Sequence, residues 1–333
     1  MAVTLEDVAL KAGVSHTTVS LVLHNDKKIS GKTREKVLAA IEQMNYHPNY
    51  NARSLANGKT NTIAVIASVF SSYFAMDIIK GIEDGAFKTE YDLNQYSTRG
   101  NKEKELQLVK SILYGRRADG MIILSLQPEL ETLKEFKDAG MPVVMIERRI
   151  EGYSSVRTDN VKGAYMAAEY LIKNGRKSLG IICGRLDCYD CINAKERNAG
   201  FIKALEDHGA VFDKNCSEYT GYKFDDGVAA CRQMFDRGAR PDAVFCAAGD
   251  TVALGFMKEA RRLGIKVPGD IAVVGYDDIL ASSMVSPSLT TIRQPIIKMG
   301  REALSIILGT LNHEIKETVT TTFEPELIVR ESA

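Results

Sequence analysis

The sequence has 333 residues, 45% hydrophobic and 26% charged, which is enough to bury a sizeable core and favours more than one domain. No apolar run approaches the roughly 20 residues of a membrane-spanning helix, and the first residues, MAVTLEDVAL, lack the apolar core of a secretory signal. Six Cys are too few for a disulfide framework. We therefore expect a cytoplasmic protein without membrane contact.

Basic and acidic side chains balance over the whole chain, 43 against 43, but not along it. Residues 1–60 contain eight basic and five acidic side chains, a net charge of +3, so residues 61–333 carry −3. A basic N-terminal segment is a weak indication of binding to a polyanion such as nucleic acid. Ordinary charge scatter explains the same count equally well.

The N-terminal segment is predicted to form helices without strands. Thr4 is placed to cap a first helix, with Asp7 at the capping-box position. Gly13 interrupts that helix, and Ser15 starts a second short one. A third helix ends at Pro48, because proline cannot donate a backbone hydrogen bond to a continuing helix. The polar segment that follows, NYNARSLANGKT, is either a linker or a helix too short to be stable alone.

The first two helices fit a helix-turn-helix. Two short helices pack at a steep angle only when the turn between them contains a small residue flanked by apolar positions, and Gly13 with its neighbours meets that requirement. Side chains of the second helix would then lie where the major groove of DNA would be, namely His16, Thr17, Leu21 and His24. The alternative is a plain three-helix scaffold.

From Thr62 the pattern changes to short apolar runs that alternate with helical stretches. Such alternation indicates parallel strands buried on both faces and connected by helices. The repeat is too long for one six-stranded sheet, so we expect two α/β lobes with a split near residues 157–162. Two late segments, 289–294 and 320–332, are predicted strands that cross back between the lobes. The other predicted strands lie in residues 63–68, 121–125, 142–147, 179–184, 243–249 and 271–278.

The residues themselves carry a family resemblance. LEDVALKAGVSHTTVSLVL and the following TREKVLAAIEQMNYHPNYNARSLANGKTNTIAVI closely resemble the head and hinge of the lactose-repressor (LacI/GalR) family of bacterial transcriptional regulators. The resemblance continues in VRTDNVKGAYMAAEYLIKNG, RNAGFIKAL, PDAVFCAAGDTVALGFMKEARRLGIKVPGDIAVVGYDD and SPSLTTIRQP. It therefore covers nearly the whole chain, in order.

The resemblance implies an all-α helix-turn-helix head followed by a two-lobed α/β body similar to a periplasmic sugar-binding protein, with parallel sheets flanked by helices. Residues 1–60 would form the DNA-binding head, with a hinge helix at about 50–58, and residues 61–333 the effector-binding and dimerisation domain. We expect lobe 1 at about 61–160 plus 291–320, and lobe 2 at about 161–290 plus 321–333.

Carried over residue by residue, the resemblance places base-reading side chains on the recognition helix, chiefly His16 and Thr17. Relatives commonly have a long polar or basic side chain where this chain has Leu21, which can contact only a thymine methyl group. The full set of predicted DNA-contacting residues is Thr4, Leu5, Ser15, His16, Thr17, Ser20, Leu21, His24, Tyr46, Asn49, Arg53 and Leu55.

The hinge segment carries a separate prediction. Leu55 lies where the family inserts an apolar wedge into the central minor groove, which kinks the DNA. The alternative is a linker leucine that packs on the core. Arg53 and Tyr46 are predicted to contact the DNA backbone, which fixes register without reading sequence.

The body is predicted to hold the effector at the carboxyl ends of its parallel strands, in the cleft between the lobes. That position nominates Tyr73, Phe74, Arg197, Asp250 and Asp277. The two aromatic rings would cover the face of a sugar or base, or else pack in the core. Asp277 would alternatively cap a loop.

The resemblance adds roles to several of these residues. In the family, the residues that match Arg197 and Asp277 bind effector, and a guanidinium with a carboxylate can hold neighbouring hydroxyls or polar ring edges. Glu147 stands where relatives often have Asp, Gln294 lies in a crossover that borders the cleft in relatives, and Arg99 is a further cleft candidate. A sugar or sugar derivative is the expected effector, with a nucleobase-like corepressor as the alternative.

Other site types are weakly supported. Cys188 and Cys191 form a C-x-x-C, but no second pair or nearby His completes a metal site, so we predict incidental thiols and no metal. No phosphate-binding glycine motif, H-E-x-x-H or G-x-S-x-G occurs, so we expect neither a cofactor nor an enzyme. A nucleotide-dependent α/β enzyme is the remote alternative, and an exported sugar-binding protein would lack the head.

The sequence therefore predicts a cytoplasmic, nucleoid-associated transcriptional regulator, most simply a homodimeric repressor. Its partners would be double-stranded operator DNA and a small-molecule effector, without a membrane. Effector binding would change the angle between the lobes and hence the separation of the two hinge segments. Whether the effector releases or recruits DNA is left open, because relatives with one architecture do both.

Overall fold

The computed structural model of the protein describes residues 3–23, 26, 28–47, 58–187, 191–210 and 212–333. The chain divides into two compact units, one ending at Thr60 and the other beginning at Asn61.

The N-terminal unit contains three helices, α1 (Leu5–Ala12), α2 (His16–Leu23) and α3 (Gly31–Gln43). The predicted capping box of α1 is confirmed: the Asp7 amide donates to Thr4 Oγ1 at 3.3 Å and the Thr4 amide to Asp7 Oδ2 at 2.8 Å. Gly13 ends α1 with a left-handed φ of 65°, which brings α2 back across it. Fully buried Val8, Val19 and Val37 join the three helices in one small core.

The first lobe of the body is a six-stranded sheet covered by helices. Its strands are β1 (Thr62–Ala67), β2 (Asp92–Ser97), β3 (Gly120–Leu124), β4 (Val143–Ile146), β5 (Ser154–Thr158) and β11 (Thr320–Phe323), in the order β11-β5-β4-β3-β1-β2. Every pair is parallel. Its helices are α4 (Tyr73–Ala86), α5 (Lys102–Tyr114), α6 (Leu130–Asp138) and α12 (Ile296–Leu311).

The second lobe repeats the same architecture. Its strands are β6 (Leu179–Gly184), β7 (Ser217–Thr220), β8 (Ala243–Cys246), β9 (Ala272–Asp277), β10 (Thr290–Arg293) and β12 (Glu326–Ile328), in the order β12-β10-β9-β8-β6-β7. Only β12 is antiparallel to its neighbour among the described pairs. Its helices are α7 (Asn160–Lys173), α8 (Ile192–Asp207), α9 (Phe224–Asp236), α10 (Asp250–Arg262) and α11 (Leu280–Met284), with a 3₁₀ turn at Lys214–Cys216.

The chain crosses between the lobes three times: after β5, between β10 and α12, and between β11 and β12. The predicted lobe boundaries at about 291 and 321 are corrected by a few residues, because β10 pairs wholly with β9 and β11 wholly with β5. TTIR and TTTF look alike as local sequence. Only their tertiary partners decide which sheet each one joins.

Parallel strands buried on both faces explain the apolar runs in the sequence, since every residue of β1, β3, β4 and β6 is buried. Close helix packing covers the first sheet. A Cβ on Gly81 of α4 would meet the Ile297 carbonyl oxygen at 2.1 Å, and one on Gly300 of α12 would meet the Ile78 carbonyl oxygen at 2.2 Å. Among the described residues, no helix has the length and apolar character needed to cross a bilayer.

Candidate functional site

The head presents a short polar helix face. His16 and Thr17 in the first turn of α2 are exposed, while Ser20 and Leu21 are half-buried. Val19 and Val22 on the opposite side are buried in the head core. The second helix of a helix-turn-helix contacts base edges through its N-terminal residues, so the exposed pair lies where such contacts form.

Other predicted DNA contacts have structural duties in the head. The hydroxyl of Ser15 accepts the Thr18 amide at 3.1 Å and so caps α2. The Thr4 side chain is likewise occupied by its capping box. Leu5 packs against the head core, and Tyr46 is 7% exposed within it. Leu5 is half-buried and Tyr46 buried, and DNA contact by either residue stays a prediction. His24, Asn49, Arg53 and Leu55 lie outside the described residues.

In the body, backbone strain gathers where the predicted cleft residues lie. Arg99, Ser125, Glu147 and Asp277 follow or end strands β2, β3, β4 and β9, and have positive φ angles of 52°, 54°, 68° and 111°. Residues other than Gly rarely adopt such backbone angles, and the residues that do adopt them cluster at functional sites. Strained backbone is therefore present at the carboxyl ends of both sheets.

Arg197 is the centre of the cleft wall of the second lobe. Its side chain is 6% exposed. Nε donates to Asn160 Oδ1 at 2.9 Å, Nη1 donates to the Ala247 carbonyl oxygen at 2.9 Å, and the guanidinium lies 3.7 Å from the centroid of the Tyr276 ring. Burial acts to lower the pKa of Arg197, but nearby Tyr276, Asp277 and Glu147 raise it. The guanidinium is thus fixed and charged, and little of the residue is exposed to solvent.

Glu147 is an acidic residue of the first lobe whose charge raises the pKa of Arg197. Its carboxylate accepts a hydrogen bond from the Ser125 hydroxyl. Burial raises the pKa of Glu147, while Arg197, the Ser125 hydroxyl and Arg148 act in the opposite direction. Because Glu147 belongs to the first lobe and Arg197 to the second, their charges act on each other across the cleft.

Asp277 and Gln294 form the second polar pair of the cleft. Gln294 Nε2 donates to Asp277 Oδ1 at 2.7 Å, and Gln294 is 4% exposed. Burial raises the pKa of Asp277 to about 6, partly offset by Arg197 and by the Gln294 amide. The structure therefore brings together four predicted effector residues: Arg197, Glu147, Asp277 and Gln294.

Asp250 has a different position from the one predicted. It is 0% exposed, and its two carboxylate oxygens accept the Ile279 amide at 3.0 Å, the Ser282 hydroxyl at 2.7 Å and the Thr291 hydroxyl at 2.6 Å. Burial raises the pKa of Asp250 to about 7, and Asp277 adds to the effect. Asp250 ties α10, α11 and β10 together behind the cleft, so we correct the expectation that it contacts effector.

The remaining predicted residues lie at the mouth of the first lobe. Tyr73 begins α4 and is 46% exposed, whereas Phe74 is half-buried and packs against the core of the first lobe. Phe74 was predicted either to cover a ring in the cleft or to pack in the core, and the contact observed is with the core. Arg99 is exposed, and its backbone amide donates to the Ser68 carbonyl oxygen at 2.8 Å.

Sequence reasoning missed two residues of the cleft wall, Asn160 and Tyr222. Asn160 accepts bonds from both Arg197 and, at 3.1 Å, the Tyr276 hydroxyl. Tyr222 stands over Gly184, where an added Cβ would lie 2.2 Å from the Tyr222 hydroxyl oxygen. Asn160 and Tyr222 follow β5 and β7, whose polar sequences were not recognised as strands. Had β5 and β7 been predicted as strands, both residues would have been nominated, because each lies just after the carboxyl end of a strand.

The five cysteines that the structure describes in the second lobe are buried thiols. Cys191 is 2% exposed and donates to the Leu186 carbonyl oxygen at 3.1 Å. Cys183 is fully buried, and burial raises its pKa to about 12, far from the reactive thiolate form. Cys188 lies outside the described residues. Across the described ranges, no three His, Cys, Asp or Glu side chains are grouped as metal ligands.

Comparison with known families covers both units. Residues 4–49 match the family described as bacterial regulatory proteins, lacI family. Residues 168–333 match the periplasmic binding protein-like domain.

Curated relatives extend over almost the full chain. The sequence is 33% identical over 334 residues to the HTH-type transcriptional repressor PurR of Vibrio atlanticus (strain LGP32), covering 98% of this chain and 97% of that protein. It is 34% identical over 322 residues to catabolite control protein A of Priestia megaterium, covering 96% and 95%.

Solved structures agree with the fold. The lac repressor dimer bound to operator and the anti-inducer ONPF superposes with a TM-score of 0.88 at 28% identity, covering 100% of this chain and 99% of that one. The complex of the transcriptional regulator CelR with cellobiose gives a TM-score of 0.75 at 32% identity, covering 99% and 100%. These relatives are regulators of transcription and not enzymes, which removes the enzyme alternative. The chain belongs to the lacI family of bacterial regulatory proteins, with a DNA-binding head and an effector-binding body.

Proposed function

We propose that the protein is a homodimeric repressor that binds a near-palindromic operator and releases or tightens it in response to a small polar effector held between the lobes. The observation that carries this proposal is the fixed, charged Arg197, whose charge interacts with those of the strained Glu147 and Asp277 at the carboxyl ends of the two sheets. The same chain carries the exposed recognition helix α2, so one protein combines effector binding with DNA binding.

On the DNA side, His16 and Thr17 read base edges and Ser20 and Leu21 complete the contact face of α2. Hydrogen bonds from His and Thr are single rather than bidentate, so each contributes less than the roughly 1 to 3 kcal/mol of a bidentate base contact. Leu21 supports this assignment with an apolar surface suited to a thymine methyl. Thr4 and Ser15 act by capping helices that present this face.

The hinge completes the DNA interface in this proposal. Arg53, Asn49 and His24 contact the duplex, and Leu55 wedges into the minor groove at the centre of the operator. Unstacking a base step costs a few kcal/mol, which the larger contact surface of bent DNA offsets. The hinge segments of the two subunits must meet for both Leu55 side chains to insert. The distance between the points where the hinges join the two bodies therefore controls DNA affinity.

On the effector side, Arg197 and Asp277 hold neighbouring hydroxyls of a sugar-like ligand. Arg197 supplies donors and the Asp277 carboxylate accepts. Tyr73 and Tyr222, exposed at 46% and 58%, cover a ring face from opposite lobes. The same aromatic pair suits a nucleobase, which is the second candidate. Arg99 lies farther out at the mouth.

Because the effector touches both lobes, it favours one interlobe angle over another. A ligand shifts such an equilibrium only by its difference in affinity for the two states. Typical coupling between two sites is about 1 to 3 kcal/mol, and it is equal in both directions. The site of action in the cell is the cytoplasm, on the nucleoid.

The test is a selection from a randomised duplex pool, followed by titration of the selected operator in the presence of candidate sugars and nucleobases. We expect one operator to be bound at least about a thousandfold more tightly than random DNA, and one ligand class to change that affinity. Equal binding to all duplexes with and without every candidate would contradict the proposal.

A further inference from the structure

A cavity lies next to the proposed effector site and shares Glu147 with it. It has a volume of about 310 Å³ and is lined from both lobes. Arg148 and Arg149 reach it from the segment after β4, whereas Lys195 and Glu196 belong to α8. We call this cavity the side pocket.

The side pocket is electropositive. Four basic side chains line it, Arg148, Arg149, Arg157 and Lys195, against two acidic ones, Glu147 and Glu196. Arg157 Nη2 and Glu196 Oε1 pair at 2.8 Å and neutralise each other. Among the other lining side chains, Arg148, Arg149 and Lys195 outnumber the one carboxylate, Glu147, so the lining carries an excess of positive charge. A ligand group with one or two negative charges would balance it.

Helix α8 adds to that field. The helix begins at Ile192, and Ile192, Lys195 and Glu196 line the pocket through its first turn and a half. The N-terminus of a helix carries a partial positive charge from its aligned peptide dipoles. Anionic oxygens are therefore favoured at this end of the pocket, next to the Lys195 ammonium.

The side pocket and the Arg197 site are linked through Glu147. Glu147 lines the pocket, and its pKa is influenced by Arg197 on one side and by Arg148 and Glu196 on the other. A ligand that lies between Arg197 and Glu147 is thus adjacent to the pocket. Arg149 and Lys195 line the same pocket as Glu147.

We propose that the effector carries an anionic oxygen group, a phosphate or a carboxylate, which the side pocket holds between Arg149 of the first lobe and Lys195 of the second. This inference rests on the proposed effector-binding role of the cleft and names the chemical class of its ligand. Both side chains are exposed in the structure, so they can turn toward an anion without disturbing the core. Since they lie on opposite lobes, a shared anion also links the lobes, which ties charge recognition to the interlobe angle.

The experiment uses the full chain and probes that differ only in charge. Thermal shift and calorimetry are run with inorganic phosphate, with ribose, glucose and fructose against their monophosphates, and with glucuronate as the carboxylate arm. The test variants are Arg149→Gln, Lys195→Gln and the double variant. The matched control is Arg117→Gln with Lys177→Gln, exposed cations that precede β3 and β6 and so lie at the opposite ends of the strands. Melting in sodium chloride of equal ionic strength checks the fold of each variant.

We expect inorganic phosphate to stabilise the wild type more than chloride does, and at least one anionic probe to bind tenfold or more tightly than its neutral partner. Each single substitution should weaken that probe by about tenfold, the value of one charge-assisted hydrogen bond, and the control pair should not. Whether a phosphate or the glucuronate carboxylate gives the preference separates the two sources of charge.

The proposal is overturned if phosphate acts only as chloride does and no anion outperforms its neutral partner. It is equally overturned if the double variant responds to phosphate as the wild type does, since the ion would then bind elsewhere. A neutral sugar that changes operator affinity while anions do not would remove this inference and leave the proposed function standing.

Discussion

The head and the cleft prepare polar side chains for a ligand in opposite ways. His16 and Thr17 are exposed on a short helix whose other side is buried in the head core through Val19 and Val22. Arg197 is 6% exposed and held by Asn160, a backbone carbonyl and the Tyr276 ring. The head exposes its contacts and leaves their arrangement to the DNA, whereas the cleft fixes its contacts before a ligand arrives.

This difference separates stability from specificity. Substitutions on the exposed face of α2 remove little buried contact, so they should change DNA recognition at small cost in folding free energy. Substitutions at Arg197 remove a buried charge with two hydrogen bonds and a stacked ring, so they should change both ligand binding and stability.

The largest expected effect is that of Arg197→Ala. Loss of the guanidinium should lower effector affinity by 100-fold or more, because at least two charge-assisted hydrogen bonds of about 1.5 to 3 kcal/mol are lost. Calorimetric titration with the ligand that shifts operator binding measures it. Arg117→Ala, an exposed arginine at the other end of the strands, is the control. A normal ligand response would remove Arg197 from the site.

Next in size is Leu55→Ala in the hinge. Losing the wedge should weaken the selected operator by about 30-fold, a loss of roughly 2 kcal/mol, because bending is no longer offset by insertion. Binding to random duplex, which rests on phosphate contacts, should change much less. Fluorescence anisotropy with both duplexes gives the ratio, and an unchanged ratio would refute the wedge.

A smaller effect is expected for His16→Ala. Removing a single base contact should weaken operator binding by about fivefold, or roughly 1 kcal/mol, and should relax selection at one base pair of each half-site. Repeating the duplex selection with the variant identifies that position. Lys11→Ala, an exposed residue of α1, serves as the control. Loss of affinity that is equal for all sequences would show a backbone contact instead.

The smallest effect concerns pH. The pKa of Asp277 is raised to about 6 by burial, so the folded state holds this proton where the unfolded state has already released it. The stabilising effect is complete below the unfolded pKa of about 4 and is lost as pH rises to 6. We therefore expect the free energy of unfolding in urea, taken as wild type minus Asp277→Asn, to fall by about 1 kcal/mol over this range. This value is smaller than the full pKa shift would give, because Asp277 keeps some solvent contact. A constant difference would contradict the raised pKa.

Much of the fold follows from local pattern. Strands β1, β3, β4, β6, β8 and β9 were predicted because fully buried strands are continuous apolar runs. The edge strands β2 and β7, DLNQYS and SEYT, were missed because one side of each meets solvent and their side chains are mostly polar. The polar β5 was missed for a similar lack of apolar signal.

The site was predictable only where it depends on strand ends. Arg197, Asp277, Glu147 and Gln294 were predicted and lie together. Asp250 follows a strand end as well, yet Ser282 and Thr291, distant along the chain, occupy its carboxylate. No local pattern announces partners supplied from another part of the fold, which is why the structural role of Asp250 was invisible in the sequence.

Thermodynamic linkage between cleft and head gives the most direct test. Operator affinity is measured with and without saturating effector, and effector affinity with and without saturating operator, at fixed salt and pH. The account predicts that the two ratios are equal and lie between about 5 and 150. If operator affinity stays the same while the effector demonstrably binds, the two units act independently and the account is wrong.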